Sequence, residues 1–223
     1  KSFYEPTAEH LTKLTGDWCC SYSRGKDSTA LAAGVVWLIR SGWVDVKTPR
    51  LVNSDTTVED VRLAVIGDDF MRCLQGDGWE CGVVIPLVHE RLYCQILGRG
   101  LQPIHPGIRR MRWCTRSTKI DPMNRWSGVT LKLTGLRYGE SAMRDGKLLK
   151  SGCAAGGECG IPEPNHDTYS PILEWKTCQV IDWLNGHVDA KVRKIMADVF
   201  KITRRLVEAY DVQVKTINTL FGE

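Results

Sequence analysis

Ser23-Arg24-Gly25-Lys26-Asp27-Ser28 brings together the residue types that hold an anion. Gly25 removes a side chain where backbone must approach a ligand. Ser23 and Ser28 add hydroxyls, Lys26 a cation, and Asp27 a carboxylate able to contact Mg2+. The residues before it, 17–23, are β-prone and largely uncharged, and those after it, 28–39, are apolar at helical spacing. That context predicts a strand, a tight polar loop and a helix start. Loop amides and the positive end of the helix, about half an elementary charge, then face the same point. The spacing is not Gly-x-x-x-x-Gly-Lys-Ser/Thr, so this is no Walker A loop. A plain polar turn with Ser28 as N-cap fits the same six residues.

Other residues with chemical potential lie further along. Arg50-Leu-Val-Asn-Ser-Asp55 reads as a strand ending on an acid, with Thr56 and Glu59 close behind. A carboxylate and a hydroxyl there suit ribose hydroxyls or a metal; they equally suit a helix start, with Asp55 or Thr56 as N-cap. Gly135, Arg137 and Arg144 follow a predicted strand at 130–135. A guanidinium binds phosphate oxygens bidentately, although a lone arginine more commonly makes a surface ion pair. Cys114, Cys153, Cys159 and Cys178 are four soft thiolate donors, two of them in the Gly-rich stretch 152–160. Such donors suit zinc or an iron–sulfur cluster. Their spacing also fits a plain loop with reduced thiols.

The elements that must position these residues alternate. Strands are predicted at 17–23, 50–55, 82–88 and 130–135, and helices at 7–14, 28–40 and 58–72. Pro86 places the third strand near an edge or at an irregularity. This alternation predicts an α/β fold with a parallel sheet covered on both faces. Ligands of such sheets bind beyond the carboxyl ends of the strands. The 23–28 loop, Asp55 and Gly135–Arg137 all fall at predicted carboxyl ends. Residues 97–125 read as loops with short helices, and 151–170 as one long loop, a length usually tied to function or disorder. A turn entering an amphipathic helix is expected over 171–184. One or two further helices are expected over 188–221. We place one domain at 1–187, with 188–223 as its helical extension.

Composition bounds the reading. The 223 residues are 43% hydrophobic and 25% charged, ordinary values for a soluble globular chain. No apolar run approaches the ~20 residues of a membrane span, and no signal peptide is evident. These features predict a cytoplasmic protein with no membrane partner. The net charge is only +4, but residues 91–125 hold eight Lys or Arg against one acid, Asp121. That block suits a polyanion, or a solvated loop surface. Nine cysteines in an alternating α/β chain are expected to stay reduced. Cys19, Cys20, Cys73, Cys81 and Cys94 read mainly as small buried hydrophobes.

Four further stretches sharpen the hexapeptide. Ser-x-Gly-Lys-Asp-Ser resembles the PP-loop of ATP pyrophosphatases. Asp55-Thr56 with Glu59 resembles the Asp-Thr-x-x-Glu element of the PAPS reductase branch of that superfamily. Arg112-Trp-Cys-Thr, with Lys119 and Pro122, resembles its Arg-Trp-Cys-Thr-x-x-x-Lys-x-x-Pro element. Gly135-x-Arg137-x-x-Glu140-Ser141-x-x-Arg144 and Pro171-Ile172-x-x-Trp175 resemble two more.

The resemblance implies a Rossmann-like adenine nucleotide alpha-hydrolase fold, mostly parallel sheet flanked by helices, with C-terminal helices. It implies that Ser23, Arg24, Gly25, Lys26, Asp27, Ser28, Asp55, Thr56, Gly135, Arg137 and Arg144 hold ATP. Lys26, Asp27 and Arg137 would carry catalysis, and Asp27 would contact Mg2+. Within the superfamily the chain looks most like DNA phosphorothioation proteins of the SspD and DndC type. That likeness implies a cysteine desulfurase, DNA and other phosphorothioation proteins as partners. It also implies a [4Fe–4S] cluster on Cys114, Cys153, Cys159 and Cys178. The rival is a sulfonucleotide reductase using Cys159. Against it, Glu158-Cys-Gly-Ile161 is followed by Pro162 rather than His, and it precedes Pro171-Ile-x-x-Trp175 instead of following it. A non-catalytic nucleotide-binding module is the third possibility.

Overall fold

The structure is a computed structural model that describes residues 4–13, 18–102, 113–129, 131–139, 145, 158–163 and 166–221. Six strands form one sheet in the order β3-β2-β1-β4-β6-β5: β1 (Trp18–Tyr22), β2 (Arg50–Ser54), β3 (Glu80–Val84), β4 (Leu131–Leu133), β5 (Glu158–Glu163) and β6 (His166–Tyr169). The first five in that order run parallel, and β5 pairs antiparallel with β6. The expected mostly parallel, helix-flanked sheet is therefore what the chain builds.

Alternation along β1 divides its side chains between two cores. Trp18, Cys20 and Tyr22 face a large cluster with α2 (Lys26–Arg40), α3 (Val61–Gly76) and the C-terminal helices. Cys19 faces the other way, onto Val52 and Val129. Helix α2 is buried from Ser28 to Leu38, as a helix that is apolar on nearly all sides must be. On the second face, Trp126 of α6 (Asp121–Ser127) lies directly on the backbone of Gly82, where a Cβ would stand 2.4 Å from the indole. A larger residue at 82 would displace that helix from the edge strand.

Among the described residues the remaining α-helices are α1 (Tyr4–Lys13), α4 (Leu92–Arg99), α5 (Trp113–Thr115), α7 (Thr177–Leu184), α8 (Ala190–Ile195) and α9 (Ala197–Phe221). A π-helical turn, Arg116–Ile120, joins α5 to α6. Helix α9 packs on α3 and α2. Arg40 at the end of α2 fixes this arrangement. It reaches Asp198 of α9 and Asp77 after α3, both at 2.7 Å. No described helix is long and apolar enough to cross a membrane.

Several boundaries differ from expectation. The third strand spans 80–84 rather than 82–88, so Pro86 lies beyond it, but β3 is an edge strand as expected. The second helix starts at Val61 because Asp60 caps it, accepting from the Arg62 amide at 2.8 Å. Asp55 and Thr56 are thus not its cap. Helix α2 starts at Lys26, with Gly25 rather than Ser28 at the N-cap. The stretch 151–170 is not one loop, since its second half supplies β5 and β6. These strands are short, and β6 is held by pairing with β4 and by Tyr169, which is buried in the main core, while β5 pairs with β6. Cys19 and Cys20 are fully buried, whereas Cys73, Cys81 and Cys94 are half-buried. Burial raises the Cys73 and Cys81 thiols to about 11 each.

Candidate functional site

The chain leaves β1 to build β2 and β3 on one side, then returns to build β4 on the other. The gap between the loops after β1 and β4 is a topological switch point, where open α/β sheets bind ligands. The 23–28 loop follows β1, and Thr134–Arg137 follow β4. At Gly135 the two loops touch backbone to backbone. A Cβ there would lie 2.8 Å from both the Asp27 carbonyl carbon and the Ser28 nitrogen. Gly135 is needed for this close approach, not for an unusual dihedral.

Its own polar groups hold the 23–28 loop closed. The Ser23 amide donates to Ser28 Oγ at 3.1 Å, and Ser28 Oγ donates to the Gly25 carbonyl at 3.1 Å. The Thr29 amide and hydroxyl both donate to that carbonyl, at 3.0 and 2.8 Å. Arg24 takes φ +58°, a left-handed conformation that costs a non-glycine residue about 1–2 kcal/mol.

Three charged side chains line up at the junction. Asp27 accepts from Lys26 Nζ on Oδ2 at 2.8 Å and from Arg137 Nε on Oδ1 at 2.6 Å. Arg137 is 3% exposed, and its Nη1 donates to the Trp175 carbonyl at 3.0 Å. The Gly135–Arg137 and Pro171–Trp175 stretches therefore meet at the 23–28 loop. Burial pushes the Asp27 carboxyl up, but hydrogen bonds and charge from Lys26 and Arg137 prevail and hold it below the usual carboxylate range. Lys26 Nζ also stands 5.1 Å over the Tyr210 ring of α9. Asp27 thus pairs with two cations, Lys26 and Arg137, beside the helix start. An incoming phosphate can replace Asp27 as their partner.

At the end of β2 the Asp55 amide donates to the Val84 carbonyl at 2.9 Å. Asp55 Oδ1 accepts from the Thr57 amide at 2.8 Å, closing a tight turn with Thr57 at φ +63°. Thr56 is buried. Glu59 lies between two cations. Its Oε2 is 3.2 Å from Arg24 Nη1, and its Oε1 is 3.9 Å from Lys119 Nζ. Ser54 Oγ donates to the Thr118 carbonyl at 2.7 Å, tying the 113–120 segment to the carboxyl end of β2. The elements around Asp55, Cys114, Arg137 and Trp175 are thus arrayed along one end of the sheet.

Arg144 and Cys153 lie outside the described residues, as does the Cys159 side chain. Cys114 is half-buried in α5 and Cys178 is exposed at the start of α7. Among the described residues no three His, Cys, Asp or Glu group as a metal site. In the basic block, Arg125 pairs with Glu90 at 2.6 Å and Arg116 with Asp121 at 3.5 Å. Two neighbours of the site were not foreseen from sequence, Tyr210 and Gly67. Tyr210 sits far along the chain on a helix expected only to pack. Gly67 is an inconspicuous glycine inside a helix.

No protein-family model matches this chain, and no curated protein sequence matches it. Among solved structures, it is similar to a phosphoadenylyl-sulfate (PAPS) reductase from Candida auris, determined as a phosphate complex. The match has a TM-score of 0.51 at 14% identity and covers 84% of this chain and 80% of the reductase. The fold is PAPS reductase-like. At that identity the likeness shows the fold alone.

Proposed function

We propose that this chain is an ATP pyrophosphatase that adenylates a target for sulfur incorporation. The observation that carries the reading is the Lys26–Asp27–Arg137 cluster at the β1/β4 switch point, beside the loop amides and the start of α2. In this reading the pyrophosphate of ATP takes the place of Asp27 against Lys26 and Arg137. Gly25 and the loop amides approach its oxygens, while Ser23 and Ser28 keep the loop closed. An oxygen of the target attacks the α-phosphorus, the bond to the β-phosphate oxygen breaks, and pyrophosphate leaves. Catalysis rests on fixed positive charge where negative charge gathers. Asp27, ionised and with lone pairs to spare, fits a single-carboxylate Mg2+ ligand beside phosphates. When bound, the ion would add charge neutralisation on the leaving group.

The target we favour is the DNA backbone in phosphorothioate modification, with sulfur from a partner cysteine desulfurase. The basic 91–125 block supports a polyanionic substrate. Lys119 of that block stands near the site through Glu59. We assign no step to an iron–sulfur cluster. The described residues offer only Cys114 and Cys178 toward one, and iron analysis of anaerobically purified protein decides whether the four cysteines hold it.

The PAPS reductase-like fold supports a second reading, a sulfonucleotide reductase using Cys159. Cys159 lies within β5, with its backbone registered against Thr168, rather than on a tail that follows the fold. That placement favours the first reading. Pyrophosphate release from ATP, lost in Lys26→Ala and Asp27→Ala, supports the pyrophosphatase. Sulfite release from PAPS or APS with thioredoxin, without pyrophosphate release from ATP, would replace it with the reductase. ATP binding with neither product would leave a binding module.

A further inference from the structure

Arg24 sits inside the phosphate loop, yet its side chain leads away from it. The residue is 4% exposed. Its Nη2 is 2.6 Å from Asp68 of α3, and its Nη1 is 3.2 Å from Glu59 and 3.7 Å from Asp55. The route runs across the backbone of α3 at Gly67. A Cβ on Gly67 would stand 2.5 Å from Arg24 Cγ, 2.9 Å from Cδ and 3.1 Å from Cβ. The aliphatic stem therefore occupies the space a side chain at 67 would need. A left-handed arginine persists only where its surroundings over-determine it. Here those surroundings are one helix groove and three carboxylates.

We propose that Arg24 is a positioning residue that straps the phosphate loop to α3, fixing the amides of residues 25–28, and does not itself grip phosphate. Gly67 serves this strap: the helix carries glycine at that point because Arg24 must cross there. The carboxylates of Asp55, Glu59 and Asp68 then act on the loop through Arg24. The proposal deepens the nucleotide reading of the loop and rests on it for the ATP-binding readout alone.

The test is a double-mutant cycle on Arg24→Gly and Gly67→Ala, with Arg24→Lys as the conservative variant. Amide hydrogen exchange of residues 25–28, urea midpoints and ATP affinity are read together. Arg24→Gly keeps the left-handed backbone available but removes the strap. We expect its loop amides to exchange faster and its ATP affinity to fall, each by about tenfold, a change within the usual coupling range for contacting residues. Gly67→Ala should do the same while Arg24 is present. In the Arg24→Gly background the sign should reverse. There Gly67→Ala has no stem to meet and raises the urea midpoint through better helix propensity. Arg24→Lys should lie between wild type and Arg24→Gly, since it keeps the stem and charge but not the fork. Unchanged loop exchange in Arg24→Gly, or equal damage from Gly67→Ala with and without Arg24, would overturn the strap. If exchange responds as expected but the wild-type protein does not bind ATP, the strap stands and the nucleotide reading fails.

Discussion

Arg137 Nε meets Asp27 Oδ1 at 2.6 Å, joining the loop after β4 to the first turn of α2 across 110 residues of sequence. The same guanidinium reaches the Trp175 carbonyl and stands 3.4 Å from Thr177 Oγ1. One side chain therefore fixes three segments around the switch point. Arg137→Ala leaves the Asp27 carboxylate with Lys26 alone and strands the groups near Trp175. We expect a stability loss of about 2–3 kcal/mol, below the full cost of breaking a buried pair because Lys26 stays. Arg137→Lys should recover only part, lacking the fork. Urea unfolding measures both, and a wild-type midpoint for Arg137→Ala would show that the contact does not hold the site together.

Gly135→Ala tests the backbone contact between the same loops. Its methyl would stand 2.8 Å from main-chain atoms of Asp27 and Ser28, which cannot swing aside as a side chain would. The expected cost is about 1–3 kcal/mol, together with loss of ATP binding measured by calorimetry. Wild-type affinity in Gly135→Ala would mean that the loops are not held this close.

Asp27 and Asp198 contribute to the acid limb of stability. Burial alone would raise Asp27, yet Lys26 and Arg137 hold it below its ordinary value. Asp198 is also held well below the usual carboxylate range, first by the Arg40 hydrogen bonds. A depressed folded pKa contributes stability that is complete above the unfolded value, about 3.9. It is lost as pH falls through the folded value. Their contribution should thus be flat from pH 7 to about 4 and decline below it. Urea midpoints against pH check this, with Asp198→Asn flattening the decline. A loss tied to Asp27 or Asp198 above pH 5 would contradict it.

Tyr210 closes the cluster from the C-terminal helix. A lysine over an aromatic face gains about 0.5–1 kcal/mol near a surface. Tyr210→Ala should therefore weaken ATP binding about two- to fivefold by freeing Lys26, and Tyr210→Phe should bind as wild type. Equal loss in both variants would assign the effect to the hydroxyl and remove the ring from the account.

Strands β1, β2 and β4 and the 23–28 loop were legible because each of these strands is a short buried run followed by polar, chemically distinctive residues, whereas the edge strand β3 is only partly buried and begins two residues earlier than its apolar run suggested. Trp18-Cys19-Cys20 and Leu51-Val52 announce burial, and Gly25-Lys26-Asp27 announces the loop. β5 and β6 were not legible, because His166-Asp-Thr-Tyr169 carries no apolar run. β6 pairs with distant β4 and β5 with β6, a placement that no local pattern encodes. The course of the Arg24 side chain was not legible for a different reason: in sequence it is one more cation in the 23–28 loop, and its left-handed backbone and its pairing with Glu59 and Asp68 emerge only in the fold. The signal available was the acid set Asp55, Glu59 and Asp68, more negative charge than one helix start requires.

If the 23–28 loop holds the pyrophosphate of ATP while the α-phosphorus is attacked, product analysis of ATP turnover with Mg2+ and candidate acceptors should find pyrophosphate and transferred AMP from the wild-type protein, with rates about 10²–10³-fold lower in Lys26→Ala. ADP and inorganic phosphate as products, or pyrophosphate release unchanged in Lys26→Ala, would contradict it.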